Sequence, residues 1–270
     1  MIKLGGILLK SVNEKDVYLE INESVANIVF NRPEKRNAIN YDMWRAIPHL
    51  IDQCEKNSDV KVILFSSNHE AAFSAGADIS EFNDLRSTVE GAKKYTELTL
   101  KAEKAIMEVR KPTIAMVSGY CVGGGCEIAL ACDFRFSDEN GMFGITPAKL
   151  GIVYSTPGTK NLVDLVGPSK TKDILYTGRL LEAKEALEIG LIDRIYPKKT
   201  IRTEVLKYAN VICNNARISI EGSKQVVRNV LRGADEDSQD IMDLMNQSFV
   251  SNEYKEGVTA FLEKRKPSFK

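Results

Sequence analysis

The segment GYCVGGGCE, Gly119–Glu127, follows the apolar run TIAMV at Thr113–Val117 and leads into IALAC at Ile128–Cys132. The run before it reads as a strand buried on both faces, and the segment after it as an apolar helix. Three consecutive glycines at that turn leave the backbone bare and permit dihedrals closed to other residues. The helix that follows starts with unpaired N–H groups and a partial positive charge. Such a turn can hold an oxygen that becomes negative during a reaction. Glycine-rich turns also bind phosphates or allow close packing. Here neither a Gly-Lys-Ser/Thr ending nor a G-x-G-x-x-G pattern is present.

Upstream, VKVILFS at Val60–Ser66 is another continuous apolar run, and FSAGAD at Phe73–Asp78 occupies the equivalent loop after it. Two such loops on adjacent strands could each aim one N–H at the same point, gripping a thioester carbonyl and stabilising its enolate. The alternative is a pair of tight turns, with Asp78 capping a helix. Around this centre, Val17–Ile21 and Val25–Phe30 read as a hairpin. Asp42 is placed to cap a helix to about Lys56, with Met43, Ile47, Leu50, Ile51 and Cys54 on one face. A second helix is expected near Gly91–Arg110, with Tyr95, Leu98, Ala102, Ile106 and Val109 at helical spacing and Pro112 marking its end. Phe134–Phe136 and Met142–Phe143 look like short strands. From Thr159 the chain reads as mainly helical, apart from a strand at Leu191–Tyr196. The last helices fall near Ile201–Asn214, Ile218–Arg232, Asp237–Val250 and Asn252–Lys264. Two rounds of strand, glycine-bearing loop and helix thus precede a helix-rich tail: an α/β core over residues 1–200 and a C-terminal helical region over 201–270.

Lys plus Arg and Asp plus Glu each total 37, so the formal net charge is zero. No global positive field exists to hold nucleic acid or an anionic membrane, and an anion site must be local. Cys54, Cys121, Cys126, Cys132 and Cys213 are scattered without a Cys-x-x-Cys. His49 and His69 form no zinc-type spacing with them. Buried reduced thiols, and no metal, are the expectation. Met1–Asn13 carries only the short apolar patch Ile7–Leu9 and no cleavage-type pattern, and no stretch approaches a membrane span. A soluble, cytoplasmic protein is expected.

Several segments, in order, resemble the enoyl-CoA hydratase/isomerase (crotonase) family. FSAGADI at Phe73–Ile79 and the Gly119–Glu127 segment are similar to its two oxyanion-hole segments. NRPEKRNA at Asn31–Ala38 is similar to its first CoA-contacting loop, and FLEKRKP at Phe261–Pro267 to its C-terminal signature. The resemblance implies a spiral of ββα units, with a C-terminal helical region that builds homotrimers, often paired into homohexamers. It implies an acyl-CoA substrate and no cofactor beyond the CoA carried by that substrate. By motif position, Ala77 and Gly124 would donate the two oxyanion-hole N–H groups. Ala75, Asp78, Ile79, Ser80, Gly123 and Ala38 would contact the substrate. For the CoA phosphates the candidate cations are Arg32, Lys35 and Arg36 early, and Lys264, Arg265 and Lys266 near the end. Arg binds phosphate bidentately and Lys as a point charge; the alternative is two solvated charged surfaces.

Hydratases of the family use two glutamates, and Glu127 falls on the first. At the start of an apolar helix its pKa is expected to be raised. The second glutamate should lie twenty residues on, where this chain has Pro147, which is neither acid nor base. No Asp or Glu occurs between Gly141 and Asn161 to replace it. The run from Thr146-Pro147 to Tyr154 resembles instead the methylmalonyl-CoA decarboxylase branch, which also ends in a tyrosine there. That branch can carry a histidine where this chain has Ala77. A phenol and one carboxylic acid could serve a decarboxylation, and Tyr154 is equally readable as packing. Asp133 is read as a structural contact and Tyr120 as packing. Three outcomes stay open within this class: hydratase, double-bond isomerase and decarboxylase. The rival outside it is a catalytically silent acyl-CoA-binding member of the family. A nucleotide-binding module on Gly123–Gly125 has no lysine or metal-holding hydroxyl in its favour.

Overall fold

A computed structural model of the chain describes residues 16–269. The reading of Met1–Asn13 lies outside the described residues. The chain opens on the antiparallel hairpin of β1 (Val17–Asn22) and β2 (Val25–Phe30), as expected. Helix α1 (Tyr41–Lys56) buries Met43, Ile47, Leu50, Ile51 and Cys54, the face set by helical periodicity. Its cap is Asn40, whose side chain accepts from the Met43 N–H at 2.9 Å. Asp42, the expected cap, lies two residues further on, within the first turn, and supplies negative charge to the helix start.

A repeating plan follows. Strand β3 (Val62–Ser67) runs on to the short β4 (Ala72–Ser74), then to α2 (Phe82–Leu85) and α3 (Val89–Glu108). Strand β5 (Thr113–Val117) leads through β6 (Tyr120–Val122) to α4 (Gly124–Ala131). Strand β7 (Phe134–Asp138) leads through β8 (Met142–Gly144) to α5 (Thr156–Thr177), which breaks at Gly167. The elements β9 (Leu181–Glu182), α6 (Ala183–Glu188) and β10 (Arg194–Tyr196) complete the sheets. Helices α7 (Ile201–Cys213), α8 (Arg217–Leu231), α9 (Gln239–Val250) and α10 (Asn252–Leu262) form the tail.

In each round the first strand joins a large sheet ordered β1-β2-β3-β5-β7-β10, parallel from β2 onward. The second strand joins a small sheet ordered β4-β6-β8-β9. The chain therefore climbs both sheets together, which is the expected spiral of ββα units. The sequence showed two rounds; the structure holds a third, β7-β8-α5, and places β6 inside the segment read as one loop.

The central strands of the large sheet are buried on both faces. Ile63 and Phe65 of β3 pack into the core that holds Ile47 and Ile106. Val62 and Leu64 pack behind with Ile201, Val205 and Ala209 of α7. That double covering is why β3 and β5 read as unbroken apolar runs. All five cysteines are buried and free. Among the described residues no helix is long and apolar enough to cross a membrane.

The strand expected at Leu191–Tyr196 begins only at Arg194, because a side chain takes the place of the first ladder bonds. Arg135 of β7 is buried, and its guanidinium donates to the Leu191 and Cys132 carbonyls at 3.0 and 2.7 Å. It also pairs with Asp193 at 3.1 Å. An Arg135→Met variant leaves these acceptors without a donor. It is expected to lose about 3–5 kcal/mol in urea denaturation; a loss under ~1 kcal/mol would show that the guanidinium does not hold β10 to β7.

Candidate active site

Because β4 and β6 are neighbours in the small sheet, the loops that leave them lie side by side. They touch through bare backbone. Gly76 has φ 106°, and a Cβ there would stand 3.1 Å from the Val122 carbonyl oxygen. Gly123 has φ 51°, and a Cβ there would stand 3.6 Å from the Gly76 Cα. Side chains at these two positions would hold the loops apart and strain both. The loops rim one cavity, which Ala75, Gly76, Ala77, Gly123 and Gly124 line from the two sides.

Ile39 sets the orientation of Ala77. Its N–H donates to the Gly76 carbonyl at 2.7 Å, and its carbonyl accepts from the Asp78 N–H at 2.9 Å. That parallel bridge uses the groups flanking Ala77 and turns Ala77's own N–H away from Ile39. Gly124 is the first residue of α4, so its N–H has no intrahelical acceptor. Among the described residues neither the Ala77 nor the Gly124 N–H has a hydrogen-bond partner. Trp44 of α1 backs this corner: a Cβ on Gly124 would lie 2.8 Å from its ring and 3.5 Å from the Ala77 nitrogen. The indole N–H donates to the Tyr95 hydroxyl at 3.2 Å, tying the corner to α3.

Three ionisable groups line the same cavity: Glu127 of α4, Tyr154 from the segment before α5, and Glu103 of α3. Burial raises the Glu127 carboxyl above its ordinary range, against the opposing effects of the Tyr154 phenol and the Arg86 guanidinium. Burial, with the Glu127 charge beside it, pushes Glu103 up to about 8. Burial and the two carboxyls push the Tyr154 phenol well above its usual value. The phenol lies close enough to Glu127 for each to shift the other, yet its buried oxygen closes no hydrogen bond of ordinary geometry. Its ring packs at the start of α5, where a Cβ on Gly158 would come within 3.0 Å of it. Arg86 also lines the cavity, its guanidinium 4.4 Å from the Phe82 ring centre and 5.1 Å from that of Tyr95.

The sequence profile of the enoyl-CoA hydratase/isomerase family matches residues 20–270. The chain belongs to that family. It is 34% identical to the short-chain-enoyl-CoA hydratase of Clostridium acetobutylicum, over 93% of this chain and 96% of the relative. It is also 34% identical to the crotonyl-CoA hydratase of Syntrophomonas wolfei, over 94% and 98%. A solved family structure from Hyphomonas neptunium superposes with a TM-score of 0.93 at 40% identity, covering 96% of this chain and 99% of that one. The enoyl-CoA hydratase/carnithine racemase structure from Magnetospirillum magneticum gives 0.90 at 31% identity, covering 95% and 96%. The fold is accordingly the crotonase spiral.

Of the residues singled out by family resemblance, the cavity gathers Ala75, Ala77, Ile79, Gly123, Gly124, Glu127 and Tyr154. Asp78 and Ser80 do not line it. Asp78 is buried and pairs with Arg32 at 3.0 Å, and it caps the turn at Ile79–Glu81 by accepting from the Ser80 N–H. Burial pushes its carboxyl up, but hydrogen bonds from Ser80 and Arg32 outweigh that and hold it below the usual range. Arg32 is thereby withdrawn from the candidate phosphate cations, being spent on Asp78, Asp16 and the Ala38 carbonyl. Lys35 and Arg36 are exposed on the same loop, and the Arg36 carbonyl accepts from the Ala75 N–H at 3.0 Å, beside the rim. Lys264 is exposed past the end of α10 and away from the cavity lining, and Arg265 is paired with Glu256 and Glu263. Asp133 is structural, as read: it accepts from the Thr113 N–H and pairs with Lys224. Tyr120, expected to pack, is exposed.

Sequence reading missed Glu103, although a signal existed. Thr96, Thr99 and Glu103 stand at i, i+3 and i+7 and make a polar stripe beside the apolar face of α3; all three line the cavity. The Glu103 effect on folding has a definite sign. Its carboxyl is held neutral to about pH 8 when folded but ionises near its ordinary value when unfolded, so it favours folding least at high pH. Glu103→Gln is therefore expected to stabilise the protein, by roughly 1–3 kcal/mol at pH 8 and by less at pH 5. Thermal melts at the two pH values check this; equal or destabilising shifts would contradict the buried, neutral carboxyl.

Proposed function

We propose that the protein processes an acyl-CoA thioester by holding its carbonyl oxygen between the Ala77 and Gly124 N–H groups while Glu127 moves the proton at Cα. The observation that carries this reading is the pair of unpartnered N–H groups on residues that rim one cavity, with a desolvated carboxyl lining it. Donors already in place cost no reorganisation when negative charge develops on the oxygen. In a double-bond isomerisation, Glu127 as carboxylate takes the Cα proton, and the C–H electrons move into the thioester as an enolate. Glu127 then returns the proton at Cγ while the double bond shifts. One carboxyl suffices for this. Addition of water asks for a second acid–base group, and Pro147 occupies its expected place on the cavity wall. The reading needs no group beyond the CoA that the substrate brings, and it assumes a cytoplasmic acyl-CoA pool. Lys35 and Arg36, beside the rim, are the cations proposed for the CoA phosphates, with Lys264 serving a neighbouring subunit.

A decarboxylase reading is favoured by one specific feature. Among the described residues the Arg86 guanidinium has no carboxylate partner, yet it lines the cavity with the Tyr154 phenol. It could orient a substrate carboxylate for loss as carbon dioxide. The bond's electron pair would pass to the held enolate, and Glu127 or Tyr154 would protonate Cα.

Incubation with enoyl-, hydroxyacyl- and malonyl-type CoA thioesters, followed by mass spectrometry, separates these outcomes. Gain of water, loss of carbon dioxide, and unchanged mass with altered retention mark hydration, decarboxylation and isomerisation. Glu127→Gln is expected to lower turnover by about 10²–10⁴-fold while thioester binding persists. Absence of turnover by the wild type, with binding intact, would instead establish the silent acyl-CoA-binding reading.

Assembly into homotrimers, or hexamers made from them, is proposed from the tail. Val227, Val230, Phe249, Phe261 and Leu262 on α8–α10 stay exposed, an apolar surface that a lone chain would leave in water. Sedimentation analysis is expected to give three or six times the 30.1-kDa chain mass; a monomer at micromolar concentration would refute it.

A further inference from the structure

We propose that Glu103 is the second acid–base group of this site, forming with Glu127 a carboxyl pair that shares one proton and equips the cavity to hydrate an enoyl-CoA despite proline at position 147. This rests on the preceding reading of Ala77, Gly124 and Glu127.

The grounds are geometric. Glu103 is 4% exposed, comes from a different helix than Glu127, and lines the same cavity. Among the described residues its carboxyl has no hydrogen bond or ion pair. A buried carboxyl kept only for structure would be expected to have a donor or cation beside it, as Asp78 has in Arg32 and Ser80. A leucine would fill the same volume at lower cost. The titratable and charged groups facing the pair are Tyr154 from the segment before α5, Arg86 from the end of α2, Cys126 of α4 and Tyr95 of α3. The single cation among them, Arg86, acts on Glu127, as does the Tyr154 phenol. Two carboxylates in so dry a space cannot both ionise. The cation and the phenol favour charge on Glu127, so the proton resides on Glu103, whose titration is displaced to about 8.

That resting state, one carboxylate and one carboxylic acid, is what addition of water requires. In the reacting complex the shared proton passes to Glu127, and Glu103, now a carboxylate, takes a proton from water as the water oxygen bonds to Cβ. The Cα=Cβ pair shifts to give the thioester enolate, its oxygen held by the two N–H groups. Glu127 donates its proton to Cα, and the enolate collapses to the 3-hydroxyacyl thioester. The water proton left on Glu103 restores the resting pair.

The test uses the full chain and crotonyl-CoA, with hydration followed by loss of the conjugated thioester absorbance. In parallel, Cα hydrogen–deuterium exchange of butyryl-CoA reports the oxyanion site and Glu127 alone. Wild type is expected to hydrate. Glu103→Gln is expected to lose about 10²-fold or more in kcat with little change in KM, to keep Cα exchange within about threefold, and to be partly restored as Glu103→Asp. Wild-type hydration should fall as pH rises through about 8, and the residual activity of Glu103→Gln should lack that limb. Hydration by Glu103→Gln within about threefold of wild type overturns the pair and leaves the preceding reading intact. Wild-type exchange without hydration does the same. Neither exchange nor turnover of any thioester overturns both. If Glu103→Gln does not fold, the infrared spectrum of wild type labelled with ¹³C-glutamate decides. A protonated carboxyl band at pH 7 that fades above pH 8 supports the pair, and its absence overturns it.

Discussion

Two stretches of main chain can lie against each other only where no Cβ intervenes, and this protein spends that allowance at Gly76 and Gly123. The contact, 3.6 Å from a would-be Cβ to the opposing Cα, brings two strand ends to one cavity rim. The spiral supplies the rest. Because β4 and β6 are parallel neighbours, loops from successive rounds emerge at the same edge. Because Ile39 bridges the groups either side of Ala77, that residue's N–H is left without a partner. Trp44 then blocks retreat of Gly124 from the other side. The site is thus a product of main-chain geometry, with side chains from α1 and α3 acting as a wedge.

Buried carboxyl groups meet opposite fates in this protein. Asp78 and Arg32 are desolvated together, so the carboxylate keeps its charge and the pair fixes the loop that carries Ala77. Glu103 and Glu127 are desolvated without enough cation, so their carboxyls are driven toward the neutral form. A polar group buried without a partner opposes folding and is ordinarily found where chemistry needs it. The Tyr154 hydroxyl, likewise buried and unbonded, belongs to the same patch. Stability and reactivity are therefore partitioned between adjacent sides of one loop system.

Position 147 is proline where the family resemblance implies a second glutamate. The turn at Pro147–Leu150 keeps its place in the cavity wall, while the residue there carries no proton. On the proposed reading a second acid comes from another element, and Glu103 of α3 lines the same cavity. On that reading fold identity constrains where the oxyanion is held more tightly than which side chain moves the second proton.

Local sequence determined a good deal by itself. Continuous apolar runs marked β3 and β5, because strands covered on both faces need no polar alternation. Helical periodicity marked α1, α3 and the tail helices to within a few residues, because a single buried stripe repeats at 3.6. The two glycine loops were legible from the glycines that follow apolar runs, and family resemblance joined them with Glu127 into one site. Other features were decided only in three dimensions. The three-residue strands β4 and β6 are too short to display a period, and they exist because neighbouring rounds pair them. The withdrawal of Arg32 from phosphate duty depends on Asp78, 46 residues away. Glu103 and Glu127 come to line one cavity only when α3 and α4 pack together. A pairwise electrostatic environment is a property of distances through space, and no single stretch of chain contains it.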